Sequence, residues 1–266
     1  MNQALNTLIR DKRATGDSLL SIYVTAGYPH LRDTPRIILE LDKAGVDFIE
    51  LGIPFSDPMA DGPVIQQASQ TALTNGFRLS HTFEILKEVR QFSSIPILLM
   101  TYLNPVYRYG VETFLQQASV WGANGLIIPD LPLEESRLFN PLFKKFNLDL
   151  VHLLPPNASS ERIAAIDRDS TSFIYAVAYK GVTGRKSRHD TEILWFLKKL
   201  KQTLQHPFLV GFGIRSREDI AFYTQYADGV IIGTAFIKHL EKIPSDNLAP
   251  KIREFIQTLT PFSLPE

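Results

Sequence analysis

Short runs of consecutive apolar residues alternate along the chain with longer stretches in which apolar residues recur every three or four positions. The short runs predict strands that are covered on both faces, because a half-exposed strand would alternate apolar and polar residues. The longer stretches predict amphipathic helices. Eight strands are predicted, at Leu19–Thr25, Asp47–Gly52, Ile95–Tyr102, Gly125–Pro129, Leu148–Leu154, Ser172–Ala178, Phe208–Gly211 and Gly229–Gly233.

Helical patterns fill the spaces between these strands. They lie at Pro35–Lys43, Ile65–Thr74 with His81–Arg90, Val111–Val120, Leu133–Phe146, Ser160–Asp167, Thr191–Leu204, Ser216–Tyr226 and Ala235–Leu240. Strict alternation predicts a parallel sheet, and eight units in roughly 250 residues favour a (β/α)8 TIM barrel over a doubly wound sheet. Extra helices are predicted at Gln3–Arg13 and Pro250–Thr258. No Pro/Gly/Ser-rich linker interrupts the pattern, so we predict a single α/β domain over residues 1–266.

Composition excludes several classes of function. Lys and Arg (28) balance Asp and Glu (28), so no global field favours nucleic acid or an anionic membrane. The absence of cysteine excludes disulfides and thiolate chemistry, and the six histidines show no metal-binding spacing, so we expect no metal site. No apolar run approaches the roughly 20 residues of a membrane span, and the first residues do not resemble a signal peptide. We therefore expect a cytoplasmic protein.

Two carboxylates stand where a barrel places its chemistry, at the carboxyl ends of the strands. Glu50 lies near the end of the second predicted strand, flanked by apolar residues, and Asp61 lies in the proline-rich loop that follows. A carboxylate in such surroundings is costly to desolvate, so a purely structural Glu50 would need a partner. Two acids joined by a stiff loop predict a site for proton transfer.

Glycines cluster after the last three predicted strands, at Gly181–Gly184, Gly211–Gly213 and Gly233. In barrels of this kind a phosphate often lies between the last two strand ends, against a helix N-terminus, and Gly233-Thr234 directly precedes the helix at Ala235–Leu240. The alternative is that these glycines only turn the chain. Apolar and aromatic residues near strand ends either line a pocket for a flat ligand or pack in the core: Ile65, Tyr102, Tyr175 and Phe212.

The segment Phe48–Pro63 resembles the signature of the tryptophan synthase alpha chain family, an apolar strand ending Glu-Leu-Gly, then Pro-Phe-Ser-Asp-Pro, then Ala-Asp-Gly-Pro. Further motifs match in order over essentially the full length, among them Thr25-Ala-Gly, Asn104-Pro, Pro129-Asp-Leu-Pro and Gly181-Val-Thr-Gly. The resemblance implies cleavage of indole-3-glycerol phosphate into indole and glyceraldehyde 3-phosphate, with no cofactor of its own.

The same resemblance assigns roles to individual residues. Glu50 corresponds to the family's acid–base glutamate, and Asp61 to the aspartate that contacts the indole N–H. Phosphate binding is implied for Gly184, Gly213, Gly233 and Thr234, and the indole pocket for Ile65, Tyr102, Tyr175 and Phe212. Thr183 would close its loop onto Asp61. A pyridoxal-phosphate beta chain is the implied partner in an α2β2 tetramer, with contacts at Pro54, Asp57, Asn104 and Pro129.

The chemistry of the cleavage supports these roles, and two other functions are disfavoured. A proton must reach ring carbon 3, so Glu50 should have a raised pKa, while an ionised Asp61 would stabilise positive charge at the ring nitrogen. A synthase that makes the same indole phosphate would need a lysine acid at a strand end, and none stands at the first five. A chain acting only as an allosteric partner would not need both Glu50 and Asp61.

Overall fold

Eight parallel strands close into a barrel in a computed structural model that describes residues 3–177, 191–211, 213–241 and 243–259. Each strand pairs with the next along the chain, and the eighth pairs with the first. The predicted (β/α)8 fold is thus confirmed, although several strands are shorter than their apolar runs. The strands are β1 Leu19–Thr25, β2 Phe48–Gly52, β3 Ile97–Met100, β4 Gly125–Ile127, β5 Asp149–Leu154, β6 Ile174–Val177, β7 Phe208–Gly211 and β8 Gly229–Ile232.

Helices surround the barrel. They are α1 Gln3–Thr15, α2 Thr34–Lys43, α3 Pro63–Thr74, α4 Leu79–Val89, α5 Leu103–Tyr109, α6 Val111–Val120, α7 Leu133–Lys145, α8 Ser160–Asp169, α9 Thr191–Thr203, α10 Arg217–Tyr223, α11 Thr234–Leu240 and α12 Leu248–Leu259, with a 3-10 turn at Ser245–Asn247. Within the described ranges, no helix has the length and apolar character that crossing a membrane requires.

Helix α5 is a departure from the predicted pattern, which placed a loop around Asn104. Pro105 suggests a turn, but a proline is tolerated in the first turn of a helix, where its missing N–H would have no partner. The first residue of this helix, Leu103, donates its backbone N–H to Asp130 Oδ1 at 2.9 Å. Asp130, in the loop after β4, therefore caps α5 and fixes two neighbouring loops to each other.

Helix α1 closes the amino end of the barrel. Leu5 and Ile9 are buried beneath the strands. Asn6 Nδ2 donates to Asp149 Oδ2 at 3.1 Å, and Asp149 also accepts from Thr171 Oγ1 at 2.8 Å. With the amino end plugged in this way, the carboxyl end carries the loops that are available for chemistry.

Strand register decides which side chains enter the barrel. Tyr23 on β1 lies level with Glu50 on β2, and successive side chains along a strand point to opposite faces. Phe48, two residues before Glu50, faces inward and meets Phe173 with a ring-centroid separation of 5.6 Å. An aromatic layer thus fills the barrel interior directly below the level of Glu50, and this layer forms the floor of the site.

Candidate functional site

Glu50 is an acid buried inside the barrel, with no compensating hydrogen-bond partner among the residues that the structure describes. Its exposed fraction is 0%, and neither carboxyl oxygen has a hydrogen-bond partner among the described residues. Burial raises the pKa of Glu50 to about 8, because the ionised form would be desolvated. Near neutral pH the group is therefore largely protonated, as an acid that delivers a proton must be.

The loop between β2 and α3 returns a second carboxylate to the same region. The Asp61 backbone N–H donates to the Pro58 carbonyl at 3.1 Å, and the Gln66 side-chain amide donates to the Asp61 carbonyl at 3.0 Å. Pro63 follows as the first residue of α3 and fixes the direction in which the chain leaves. These contacts hold the backbone of Asp61 in place while its side chain remains half-buried.

Tyr102 connects this loop to the end of β3. The Ala60 backbone N–H donates to the Tyr102 hydroxyl at 2.9 Å. The hydroxyl in turn hydrogen-bonds the Asp61 carboxylate, which lowers the Asp61 pKa, whereas burial raises it more strongly, to about 6. Between about pH 6 and about pH 8, Asp61 is therefore ionised while Glu50 is protonated. The Tyr102 ring also packs on Phe55, with centroids 5.5 Å apart.

Tyr23 on β1 and Tyr175 on β6 are two buried phenols of the barrel strands. Burial is the main reason that the pKa of each phenol is raised well above its ordinary value. The next cause that raises the pKa is the charge of Asp61 for Tyr23 and the charge of Glu50 for Tyr175. Both hydroxyls therefore stay protonated near neutral pH, where each is able to donate a hydrogen bond. Sequence reasoning singled out Tyr175 but missed Tyr23, because a tyrosine within a strand that is buried throughout gives no sign of which face it occupies.

These two tyrosines leave no room for a side chain at two positions, and both positions are glycine. A Cβ atom built on Gly52 would lie 2.0 Å from the Tyr23 hydroxyl oxygen, and one built on Gly211 would lie 2.2 Å from that of Tyr175. Contacts this short are not tolerated, so each strand end must lack a side chain where a tyrosine hydroxyl lies against it. The sequence offers this signal only once the barrel register is known.

The predicted phosphate residues lie at neighbouring strand ends. Gly233 and Thr234 stand at the start of α11. Gly213 is exposed, with φ of +86°, a left-handed conformation that favours glycine. A Cβ on Gly233 would be 3.3 Å from Tyr23 Cβ and 3.7 Å from Ile65 Cδ1, so this loop borders the tyrosine and the predicted indole pocket. The predictions for Thr183, Gly184 and Phe212 lie outside the described residues.

The four predicted partner-contact residues do not enter the interior. Pro54 is buried at the start of the Asp61 loop, whereas Asp57 and Asn104 are exposed and Pro129 is half-buried. Asn104 lies on helix α5 and not in the loop that the sequence predicted. All four follow β2, β3 or β4, so they line one side of the carboxyl end.

The site offers groups for proton transfer and hydrogen bonding. Among the residues that the structure describes, no group of three or more His, Asp or Glu side chains is arranged to hold a metal ion. The interior brings together one protonated acid, one ionised acid and neutral phenols, beside loops suited to an anion.

Comparisons with known proteins agree with this geometry. Residues 9–260 match the family model described as tryptophan synthase alpha chain. The tryptophan synthase alpha chain of Christiangramia forsetii is 44% identical over 254 residues, which are 95% of this chain and 99% of that relative. Tryptophan synthase subunit alpha from Legionella pneumophila superposes with a TM-score of 0.86 at 33% identity, covering 97% and 98% of the two chains. A chain from the tryptophan synthase α2β2 complex of Pyrococcus furiosus gives 0.84 at 37%, covering 91% and 97%.

Proposed function

Since the chain belongs to the tryptophan synthase alpha chain family, we propose that Glu50 and Asp61 carry out its lyase reaction in L-tryptophan biosynthesis. That reaction is the cleavage of indole-3-glycerol phosphate into indole and glyceraldehyde 3-phosphate. The observation that carries the assignment is the buried Glu50, which has no hydrogen-bond partner among the described residues and a raised pKa. Burying such a group lowers the stability of the folded state, and its protonated form suits an acid catalyst.

Glu50 is assigned both proton transfers. It first gives its proton to ring carbon 3 of the indole, which becomes sp³ and places positive charge on the ring nitrogen. The Glu50 carboxylate then takes the proton of the hydroxyl on the neighbouring side-chain carbon. As the aldehyde forms, the bond from that carbon to ring carbon 3 breaks and its electrons return to the ring. The proton count balances, because Glu50 ends protonated as it began.

Asp61 is assigned to the ring nitrogen. As an anion it accepts the indole N–H and is attracted to the positive charge that develops there when carbon 3 is protonated. Its pKa of about 6 keeps it ionised at neutral pH. Tyr102 supports this state, because its hydroxyl donates to the carboxylate and is itself fixed by the Ala60 N–H.

The substrate phosphate is assigned to backbone N–H groups at the ends of β7 and β8. Gly213, Gly233 and Thr234 supply them, and by family resemblance so does Gly184. A Cβ built on Gly233 would lie 3.7 Å from Ile65 Cδ1, and this proximity supports an indole pocket that begins next to the phosphate end. Ile65, Tyr102 and Tyr175 line this pocket, together with Phe212 by resemblance, and Thr183 closes its loop onto Asp61.

A pyridoxal-phosphate beta chain is the proposed partner, in an α2β2 tetramer in the cytoplasm. The face around Pro54, Asp57, Asn104 and Pro129 is the proposed contact. Support comes from exposed apolar side chains on the same side, since Met59 is 92% exposed and Tyr107 54% exposed. The related complex from Pyrococcus furiosus is an α2β2 assembly.

The test is cleavage of indole-3-glycerol phosphate by the purified chain, with and without a beta chain, followed as indole and glyceraldehyde 3-phosphate. Glu50→Gln should lower turnover by about 10²–10⁴, the usual range for a general acid–base group. Asp61→Asn should also strongly lower turnover. Glu40→Gln is the matched control, because Glu40 is a buried carboxylate on α2 that is paired with Lys43.

Three results would contradict the proposal in different ways. Near wild-type turnover in Glu50→Gln would remove its catalytic role. No cleavage by the wild-type chain in either condition, with a phosphate ligand still bound, would indicate a barrel acting on another substrate. Normal binding to the beta chain without any cleavage would favour a purely allosteric subunit.

A further inference from the structure

We propose that Asp130 is a positioning residue for the cleavage: its carboxylate binds the first N–H of α5, and this contact holds Tyr102 in place against the loop that carries Asp61. The inference rests on the proposed function and adds to it. Asp130 lies in the loop after β4 and is exposed. Sequence reasoning assigned it no part in the reaction.

The backbone of Tyr102 is held on both sides by the segment that contains β4 and its following loop. Before Tyr102, the Thr101 N–H donates to the Ile127 carbonyl at 3.0 Å. After it, the Leu103 N–H donates to Asp130 Oδ1 at 2.9 Å. Because the peptide unit is planar, a fixed Leu103 N–H also fixes the carbonyl of Tyr102. Asp130 therefore helps to set the direction in which the Tyr102 side chain points.

The side chain of Tyr102 reaches the loop between β2 and α3. Its hydroxyl accepts from the Ala60 N–H at 2.9 Å, and its ring packs on Phe55 with centroids 5.5 Å apart. Ala60 directly precedes Asp61 in the chain. A shift of the tyrosine would release the N–H next to Asp61 and let the carboxylate move, and small displacements of this kind are costly in catalysis.

The N-terminus of α5 shows why the contact comes from another loop. Tyr102 is the N-cap residue, with an extended backbone (φ −90°, ψ 158°), and its side chain does not cap the helix. A short polar residue is usual at this position, because it accepts from the first free N–H groups. The tyrosine side chain instead contacts Ala60, and Asp130 accepts from the helix in its place. A tyrosine at this position favours a role in the site over a role in capping.

A purely structural cap is the alternative role for Asp130. Removing it would then destabilise α5 without loosening the contact between Tyr102 and Ala60. Ser159 provides the matched comparison, because its Oγ accepts from the Arg162 N–H at 3.2 Å and caps α8. Both capping residues are exposed.

The experiment compares the wild-type chain with Asp130→Ala, Asp130→Asn and Ser159→Ala. Two quantities are measured: kcat for indole-3-glycerol phosphate cleavage at saturating substrate, and the solvent-exchange rate of the Ala60 amide by NMR. In Asp130→Ala, kcat should fall about 5- to 20-fold. Exchange of the Ala60 amide should become about 3- to 10-fold faster, because its acceptor is less firmly held.

The other two variants are the controls. Asp130→Asn keeps a carbonyl oxygen for the Leu103 N–H, so both quantities should stay within about threefold of the wild type. Ser159→Ala should leave both unchanged. Unfolding midpoints establish that each variant is folded, and if Asp130→Ala does not fold, Asp130→Leu replaces it as a variant of similar shape without an acceptor.

A double-mutant cycle tests whether Asp130 acts through Tyr102. Tyr102→Phe removes the hydroxyl and lowers kcat by itself. Adding Asp130→Ala to Tyr102→Phe should then lower kcat by less than about twofold further, because the group through which Asp130 acts is already missing.

An unchanged Ala60 exchange rate in a folded Asp130→Ala chain would overturn the inference. A loss of kcat that is equally large with and without the Tyr102 hydroxyl would overturn it as well, and so would an equal loss in Asp130→Ala and Asp130→Asn. Failure of the proposed function looks different: the wild-type chain would then show no cleavage, while Ala60 exchange would still respond to Asp130→Ala.

Discussion

Glu50 shows how far a single residue departs from what stability alone would select. Its flanking positions are apolar, and an apolar residue in its place would remove the cost of a buried acid without a hydrogen-bond partner among the described residues. The chain keeps the acid, and the pKa of Glu50 is raised to about 8 as a result. Asp61 is less deeply buried and accepts a hydrogen bond from Tyr102, so its pKa is lower than that of Glu50, at about 6. Two carboxylates are therefore kept in different protonation states by their surroundings.

Glu50→Gln should become more stable than the wild type as pH rises. The unfolded Glu50 has a pKa near 4.5 and the folded one near 8, so the wild-type chain is most stable below pH 4.5 with respect to this group. That stability is lost as pH rises toward 8, because only the unfolded state readily releases the proton. Between pH 5 and pH 8 the difference in unfolding free energy should change by about 3 to 5 kcal/mol in favour of the variant.

Urea unfolding of both proteins at pH 5 and pH 8 measures this difference. Glu40→Gln serves again as the control, because Glu40 has a lysine partner and lies outside the barrel interior. A gap between Glu50→Gln and the wild type that does not grow with pH would contradict the raised pKa of Glu50.

Among the secondary-structure elements, two strands end in a glycine at the point where a tyrosine hydroxyl from the neighbouring strand lies against them. The ends of β2 and β7 carry glycine where the hydroxyls of Tyr23 and Tyr175 lie against them. The same principle of local fit governs α10, where Ser216 Oγ accepts from the Asp219 N–H and Asp219 Oδ2 accepts from the Ser216 N–H. This capping box begins the helix that follows the β7 loop.

Gly52→Ala should destabilise the fold and lower activity. Its new methyl group would overlap the Tyr23 hydroxyl at 2.0 Å, so the tyrosine ring must move or the strand end must shift. Overpacking of this kind costs about 1–3 kcal/mol. Gly62→Ala is the matched control, since a Cβ there meets nothing within 4 Å. Thermal unfolding and turnover of both variants provide the measurement, and equal behaviour would contradict the predicted overlap.

Sequence reasoning predicted the strand–helix order because apolar runs and amphipathic periods are local properties. It also predicted Glu50 and Asp61, because a carboxylate beside an apolar strand end is conspicuous. It missed α5, since Asn104-Pro105 is compatible with both a turn and a first helical turn, and only the Asp130 cap decides between them. It missed Tyr23 because a strand buried on both faces does not reveal which residues point inward.

In the whole molecule, the two ends of the barrel have different roles. The amino end is closed by α1, which is tied to the strands by ion pairs of Lys12 with Asp47 and Arg13 with Asp228, each at 2.9 Å. The carboxyl end holds the acids and the glycine loops. Helix α12 packs against α2 on the outside of the barrel. We infer from this packing that the terminal helices belong to one domain with the barrel.

Leu5→Ala should separate stability from chemistry. Leu5 is fully buried under the barrel, so its truncation should lower the unfolding free energy by about 2–5 kcal/mol. Turnover below the unfolding range should stay near wild type, because the site lies at the opposite end. Leu138→Ala, at an exposed position, is the control for loss of a leucine. A large fall in kcat for folded Leu5→Ala would contradict the division between the two ends.

The pH dependence of kcat/KM at alkaline pH shows whether the acid that starts the cleavage has the raised pKa of Glu50. We predict that cleavage of indole-3-glycerol phosphate falls tenfold per pH unit above a limb near pH 8. The substrate phosphate and Asp61 titrate well below this limb and do not obscure it. Activity that stays level to pH 9.5 would contradict the role of Glu50 as the acid, since an ionised Glu50 has no proton to give.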